Sequence, residues 1–245
     1  MILKASDQAH LPGPILLVDL KGNIVQELLS FEQDILVANI SFSPSQQWVA
    51  YLLSGGEYHG YIAPFHDYGS IEVIAVGGQV SPYRITQGIG VWDFAWAPDS
   101  TRLAFGDFDH QGIPQLYLYQ LEGNERLQLT RFAEAQVNIH SIAWSPDGQR
   151  IAFAYEPVET EPPYGTHNTD LIIISLETGI VSSVLDDQLF LVDQLWWQDA
   201  TTLVVMGYPG GYSPPLLDTQ SERLFWVDVG TGQITDTLVS KNAPG

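Results

Sequence analysis

The sequence predicts an all-β protein built from repeated four-stranded antiparallel units, and three observations lead to this prediction. Residues 141–154 alternate larger apolar with small residues on both sides of a Ser-Pro-Asp-Gly turn at 145–148, which is the pattern of a hairpin. Related stretches recur with a period of about fifty residues. A second hairpin with a short, glycine-bearing connection follows each copy. Units of this kind, repeated at this interval, are typical of the blades of a β-propeller.

The four copies of the first hairpin keep different parts of the turn. Residues 94–105 replace the glycine by Ser100, residues 40–51 lose both the Asp and the Gly, and residues 194–205 lose the Pro but keep Asp199. An aromatic residue two positions before the proline site is expected to fill the core between neighbouring blades. Its four copies are Phe42, Trp96, Trp144 and Trp196.

The repeats divide the chain into four full blades and an N-terminal half blade, about five blades in all. The half blade is expected at residues 15–30 and the full blades at about 40–86, 91–130, 140–185 and 193–238. Because no low-complexity linker separates them, a single domain over residues 1–245 is predicted. The half blade lacks its first hairpin, which leaves three alternatives: a ring closed by a reduced blade with help from Met1–Ala5, an open arc, or a part of a larger propeller. The reduced blade is the preferred one.

Residues 144–153, Trp-Ser-Pro-Asp-Gly-Gln-Arg-Ile-Ala-Phe, resemble the WD40-like (PD40-type) propeller repeat of the TolB family. Residues 96–105 resemble it nearly as closely, and units of this type cover roughly residues 15–240. The resemblance implies a propeller fold. It implies less about function, since proteins with this repeat include periplasmic partner-binding proteins, propeller domains of serine peptidases and many of unknown role.

The chain is strongly acidic, with 29 Asp and Glu against 9 Lys and Arg and a formal net charge of −20. This charge argues against nucleic acid or an anionic membrane surface as a partner. It favours a basic partner or a cation, or serves solubility alone. The chain has no cysteine, which excludes disulfides and thiolate chemistry.

No segment of the sequence has the features of a membrane span or an export signal. No apolar run approaches membrane-spanning length, so membrane insertion is not expected. Met1–Ala5 is too short for a signal peptide. A cytoplasmic location follows if this is the full chain, and a periplasmic or extracellular one if it was cut from a longer precursor.

The connections between the second and third strands of the blades are predicted to form a binding surface for a protein or peptide. They span residues 54–70, 106–114, 156–169 and 207–222, contain no Lys or Arg, and are long loops on a rigid scaffold. Packing of these loops onto one another is the alternative. The candidate binding residues are Tyr58, His59, Tyr61, His66, Asp107, Asp109, His110, Tyr164, His167, Tyr208 and Tyr212.

A second set of polar residues recurs five positions before the proline site, where the first strand of each blade begins at the mouth of the central channel. This set comprises Asn39, Asp93, Ser141 and Asp193. A polar ring there could bind water, a metal ion or a small ligand. Alternatively, these side chains satisfy backbone groups where one blade leads into the next.

The sequence favours a non-enzymatic protein without cofactor or metal, while enzyme activity stays open. Residues 107–112 resemble the start of a calcium loop, but Leu118 stands where the bidentate Glu is required. The sequence contains no histidine spacing typical of a zinc site, no Gly-x-Ser-x-Gly motif of a serine hydrolase and no glycine-rich phosphate-binding loop. The alternative is a glycan-acting enzyme or glycan-binding propeller that uses Asp93 and Asp193, because paired carboxylates at suitable separation hydrolyse glycosides.

Overall fold

The computed structural model describes ten segments of the chain: residues 2–4, 14–30, 35–55, 68–77, 81–86, 93–134, 137–157, 169–184, 190–209 and 223–236. Within these segments the chain forms nineteen strands in five antiparallel sheets. The part of the chain so described contains no helix that is long and apolar enough to cross a membrane. The residues form two compact units, one of residues 1–111 and 116–128 and one of residues 112–115 and 129–245.

The first sheet, in the first unit, is a reduced blade. It consists of β1 (Ile2–Lys4), β2 (Ile15–Val18) and β3 (Ile24–Leu29), in that order. β1 runs antiparallel to β2, with Ile2 opposite Val18. Residues at the start of the chain therefore add a third strand to the predicted half blade.

The second and third sheets are four-stranded, and their neighbouring strands are consecutive in the chain. The second contains β4 (Ile35–Phe42), β5 (Trp48–Gly55), β6 (Tyr68–Ala75) and β7 (Tyr83–Arg84). The third contains β8 (Phe94–Trp96), β9 (Arg102–Phe108), β10 (Pro114–Gln120) and β11 (Glu125–Gln128). This arrangement is the predicted four-stranded blade.

The second unit contains the fourth and fifth sheets, which have the same strand order. The fourth consists of β12 (Val137–Trp144), β13 (Arg150–Pro157), β14 (Asp170–Ser175) and β15 (Val181–Ser183). The fifth consists of β16 (Phe190–Trp197), β17 (Thr202–Pro209), β18 (Arg223–Asp228) and β19 (Ile234–Asp236).

The repeated turn keeps one backbone geometry even where its glycine is lost. Gly148 has a φ of 68°, and its N–H donates to the carbonyl of Ser145 at 2.8 Å. Ser100 and Gln46, at the same repeat position, have φ values of 65° and 59°. The left-handed region is unfavourable for residues with a Cβ, so these two copies carry backbone strain that glycine would not.

Replacing Gln46 by Gly is expected to stabilise the protein by about 0.5–1 kcal/mol, because it removes this strain from an exposed turn. Ser100→Gly is the matched variant and is not expected to stabilise. The hydroxyl of Ser100 is buried and accepts a hydrogen bond from the N–H of Ser45 at 2.8 Å, which glycine would lose. Urea unfolding of both variants tests this difference, and equal stabilisation by the two would contradict it.

Apolar side chains from facing sheets form the cores of both units. In the first unit, Ile15 and Tyr51 belong to a core shared by the first two sheets, and Leu52 and Phe105 to one shared by the second and third. In the second unit, the fourth and fifth sheets share a core that includes Leu203. Burial of these alternating residues is what fixes the register of each strand.

The core position of the fifth sheet is taken by Trp197, and the prediction for Trp196 is wrong. Trp197 is 9% exposed and its indole N–H donates to the carbonyl of Ala143 at 3.2 Å, whereas Trp196 is 41% exposed. Trp197 lies opposite Leu203 across a turn that is one residue shorter than the turn between Trp96 and Leu103. The turn that lacks the proline is thus also one residue shorter. Because a shift of one residue exchanges the two faces of a strand, Trp197 takes the buried position and Trp196 the exposed one.

Buried polar side chains hold the connection from β11 to β12 in place. Gln115 is buried, and its amide N–H donates to the carbonyl of Phe132 at 2.9 Å. Its amide oxygen accepts from the Phe132 N–H at 2.9 Å and from the Thr130 hydroxyl at 2.8 Å. These bonds supply partners for polar groups that are buried.

Candidate functional site

The two ends of the strands in each sheet carry different connections. We call one end the turn edge, where residues 43–47, 97–101, 145–149 and 198–201 join the first strand of a four-stranded sheet to the second. The other end is the loop edge, where residues 56–67, 109–113, 158–169 and 210–222 join the second strand to the third. Three of the four loop-edge connections are more than twice as long as the turns.

Carboxylates at the turn edge are engaged by the turns themselves. Asp199 Oδ1 accepts hydrogen bonds from the N–H groups of Thr201 and Thr202 at 2.8 and 2.9 Å. Asp228 Oδ1 accepts from the N–H of Thr231 at 2.8 Å. The bonds from Thr201 and Thr231 are the main cause of the lowered pKa of Asp199 and of Asp228, respectively. These acids therefore stabilise turns.

Asp107 is not presented at the loop edge as predicted. Its side chain is buried, with the residue 3% exposed, and Oδ2 lies 2.9 Å from Nη2 of Arg126. Burial raises the pKa of Asp107, and the positive charge of Arg126 opposes that rise. The guanidinium of Arg126 also lies 3.8 Å from the ring centroid of Tyr117. The buried carboxylate is thus paired with the partly exposed Arg126. The resemblance to a calcium loop would instead have made it a ligand of a metal ion.

The described loop-edge segment 109–113 exposes a short polar tip. Asp109 Oδ1 accepts a hydrogen bond from the N–H of Gln111 at 2.8 Å, and Gly112 has a φ of 76°. His110 is exposed, with Nε2 3.4 Å from Nε2 of Gln111. Tyr208 is half-buried and lies opposite Leu191, close to the end of β17. Among the described loop-edge candidates, His110 is the one that is exposed.

The other candidates fall outside the described residues and stay predictions. They are Tyr58, His59, Tyr61, His66, Tyr164, His167 and Tyr212. Within the described segments, no group of three or more His, Asp or Glu side chains could hold a metal ion.

Three of the four predicted channel-mouth residues (Asn39, Ser141 and Asp193) lie at register shifts, and within each unit the four residues bond in pairs. In the first unit, Asn39 Nδ2 donates to Asp93 Oδ1 at 2.5 Å, and the same oxygen accepts from the N–H of Phe94 at 2.8 Å. In the second unit, the Ser141 hydroxyl donates to the backbone carbonyl of Asp193 at 2.7 Å. Each pair links two neighbouring sheets. The bonds to the Phe94 N–H and to the Asp193 carbonyl satisfy backbone groups, as the structural alternative predicts, whereas the Asn39–Asp93 bond joins two side chains.

The backbone at the channel mouth departs from regular strand geometry, which the sequence did not predict. Asn39 and Ser141 have φ values of 43° and 52°, and the register shifts around both of them. A shift also occurs between Val192 and Gln194. Only Asn39 carries a residue type that tolerates the left-handed region better than most, so the sequence gives no comparable signal at Ser141.

The side chain of His140 lies between those of Ser141 and Glu156, an arrangement that the sequence did not predict. Its Nδ1 lies 3.1 Å from the Ser141 hydroxyl, and its Nε2 lies 3.4 Å from Glu156 Oε2. The Ser141 hydroxyl donates its hydrogen bond to the Asp193 carbonyl. The imidazole is therefore not placed to remove the hydroxyl proton, and the arrangement does not constitute an activated nucleophile.

The chain matches no family model and no curated protein, but it matches many solved structures. Porphyromonas gingivalis dipeptidyl peptidase 4 is 13% identical, with a TM-score of 0.63 over 96% of this chain and 37% of that one. TolB from Acinetobacter baumannii is 15% identical, with a TM-score of 0.50 over 96% and 56%. The β-propeller domain of the Trilobed protease from Pyrococcus furiosus is 13% identical, with a TM-score of 0.52 over 83% and 57%.

These similarities establish the class of the chain as an all-β propeller of about five blades. The fold is of the type found in TolB and in propeller domains of peptidases, which confirms the resemblance seen in the repeat. The chain spans less than two thirds of the length of each of the three proteins compared. At sequence identities this low, structural similarity shows the fold alone, and any activity has to be inferred from the site.

Proposed function

We propose that this chain is a non-enzymatic scaffold that binds a protein or peptide through its loop edge. The observation that carries the proposal is the difference between the two edges of the sheets. Turn-edge acids such as Asp199 and Asp228 are bonded within short turns, whereas the loop edge carries the long connections. Long connections on a packed scaffold are where binding residues concentrate.

The chemistry of the loop edge suits a basic partner. The four connections contain Tyr, His, Asp and Glu but no Lys or Arg. Rigid aromatic side chains are frequent anchors at protein interfaces. The net charge of −20 would steer a basic partner towards the chain. The resemblance to TolB-family repeats, which occur in partner-binding proteins, agrees with this role.

The contacts of the channel mouth give less support to the glycan alternative. A carboxylate that acts on a glycoside must reach the sugar as an acid, base or nucleophile. Oδ1 of Asp93 already accepts hydrogen bonds from Asn39 and from the Phe94 N–H. Asp193 binds Ser141 through its backbone carbonyl, a bond that does not involve its carboxylate. These residues hold neighbouring sheets together, and the loop edge remains the better candidate.

Changing Tyr58, Tyr61, Tyr164 and Tyr212 together to Ser is expected to reduce partner capture at least about tenfold, because it removes the aromatic anchors. The measurement is affinity capture from the source cell extract, with quantitative mass spectrometry of each retained protein.

Leu20→Ser combined with Ile180→Ser is the matched control, since both side chains are exposed apolar groups in turns at the opposite edge. The control is expected to retain capture within about twofold. Unchanged capture by the tyrosine variant would contradict the proposal. Glycan binding or turnover that disappears in Asp93→Asn with Asp193→Asn would support the alternative instead.

A further inference from the structure

The first unit contains a cleft of about 680 Å³ at the turn edge of the second and third sheets. We call it the basic cleft, and six of its lining residues carry the argument: Trp48, Tyr83, Arg84, Tyr119, Asn124 and Arg126. Trp48 and Tyr83 begin β5 and β7, and Asn124 lies in the turn before β11. Most of this lining lies near the turn edge, while the Arg126 side chain extends to Asp107 near the loop-edge end of β9. The proposed site does not depend on the function proposed for the loop edge.

Each of the two arginines, Arg84 and Arg126, pairs with a carboxylate that is less exposed than the arginine itself. Nε and Nη2 of Arg84 donate to Oε1 of Glu72 at 3.1 and 3.0 Å, and Oε2 of Glu72 accepts from the Tyr51 hydroxyl at 2.9 Å. The side chain of Arg84 is 56% exposed, against 13% for Glu72. A guanidinium has more N–H donors than these bonds use, so the outward side of Arg84 can still donate.

Arg126 repeats this arrangement in a more rigid form. Its partner Asp107 is buried, while Arg126 itself is partly exposed. The guanidinium lies over the ring of Tyr117, with 3.8 Å between its central carbon and the ring centroid. This stacking holds the guanidinium in one orientation before a ligand arrives, which lowers the entropic cost of binding.

The remaining polar groups of the basic cleft are placed as hydrogen-bond donors. The Tyr119 hydroxyl donates to Oδ1 of Asn124 at 2.9 Å, which leaves Nδ2 of Asn124 able to donate to a ligand. Burial, with a smaller effect from nearby Tyr119, raises the pKa of Tyr83 to about 12, so its phenol keeps its proton. The described lining contains no Asp or Glu, although the chain has 29.

The walls of the basic cleft are aromatic. The rings of Trp48 and Tyr83 meet edge to face, with centroids 6.0 Å apart and an interplanar angle of 79°. Ile85 and Leu121 add aliphatic surface. Walls of this kind favour an apolar or ring-shaped body, and the donors favour a group that only accepts hydrogen bonds.

We propose that the basic cleft binds a carboxylate carried on an aromatic or aliphatic body. The carboxylate accepts hydrogen bonds from Arg84, Arg126 and Asn124, and the body packs against the aromatic walls. Bonds between a guanidinium and a carboxylate are charge-assisted and therefore among the stronger hydrogen bonds. The carboxylate belongs either to a small organic acid or to the C-terminus of a peptide that ends in an apolar residue.

The first test is a calorimetric titration with N-acetyl-phenylalanine and, as its matched control, N-acetyl-phenylalaninamide. The acid is expected to bind saturably and at least about tenfold more tightly than the amide, which lacks the second acceptor oxygen and the charge. Absence of saturable binding by the acid, or equal binding of acid and amide, would overturn the proposal.

Two variants test whether the acid binds in the basic cleft. Arg84→Gln removes an exposed guanidinium, and Asn124→Gly removes the amide while glycine retains the left-handed backbone, where Asn124 has a φ of 53°. Each is expected to weaken binding of the acid about fivefold or more. Arg102→Gln makes the same charge change at an arginine paired with Asp99 in a turn, and is expected to stay within about twofold.

If Arg102→Gln weakens binding as much as Arg84→Gln does, the effect is one of total charge and the proposal fails. The variant with four tyrosines changed at the loop edge must bind the acid normally, which separates this site from the proposed function. A peptide of Gly-Gly-Phe with a free C-terminus identifies the source of the ligand. Tighter binding than that of the small acid indicates a peptide terminus, and equal binding indicates a small acid.

Discussion

Replacing Trp197 by Ala is expected to destabilise the protein by about 3–5 kcal/mol, whereas Trp196→Ala should cost less than about 1 kcal/mol. Trp197 is buried in the core of the second unit, bonds the Ala143 carbonyl and lies 4.9 Å beneath the guanidinium of Arg150. Trp196 projects from the opposite face and is 41% exposed. Removing Trp197 leaves a large cavity, and removing Trp196 leaves mainly solvent.

Denaturant unfolding of the two variants, followed by circular dichroism, measures both effects. Trp96→Ala provides a reference, because Trp96 is equally buried and bonds the Ser41 carbonyl at 3.4 Å. Its cost should resemble that of Trp197→Ala. A larger loss for Trp196→Ala than for Trp197→Ala would mean that the repeat register read from the sequence is right after all.

Replacing Arg126 by Met is expected to destabilise the protein by about 3–5 kcal/mol at neutral pH, because it leaves the buried Asp107 carboxylate without its cation. The double variant Arg126→Met with Asp107→Asn should recover most of this loss, since no charge is then buried. Chemical unfolding of the two single variants and the double variant gives the coupling free energy between the residues. Costs that simply add would contradict the proposed ion pair.

The cost of Arg126→Met should depend on pH. Burial raises the pKa of Asp107 above the ordinary 3.8, and removing Arg126 takes away the main influence that lowers it. A raised folded-state pKa means that the folded protein binds the proton more tightly than the unfolded chain does. Acidification from above the folded-state pKa towards 3.8 therefore favours the folded variant. The stability difference from the native protein should shrink over that interval, and a constant difference would contradict the mechanism.

The hairpins were predictable because their determinants are local. Ser145, Asp147 and Gly148 close the turn through hydrogen bonds between neighbours in the sequence, and the copies at Ser100 and Gln46 preserve the geometry. Period-two burial then assigned most strands correctly. It failed at Trp196 because the turn after it lacks the proline, so a one-residue deletion there cannot be recognised from a single sequence.

The candidate site was harder to predict, because its residues depend on contacts between distant parts of the chain. An acid next to a polar loop, such as Asp107 near the end of β9, has the sequence features of an exposed residue, and only the fold brings Arg126 to it. The basic cleft similarly combines Trp48 with Tyr119 and Arg126 from another sheet. The polar character of Asn39 and Ser141 was visible in the repeat. The bonds that they form with Asp93 and Asp193 of the neighbouring sheets were not.

The most direct test of the loop-edge proposal is hydrogen–deuterium exchange of the chain with and without a bound peptide. The peptide would be selected from a random library by binding to the immobilised protein. Slower exchange at residues 109–113 and in the other loop-edge connections, with the turns at 97–101 and 145–149 unchanged, is the predicted result. Slower exchange confined to those turns would contradict the proposal.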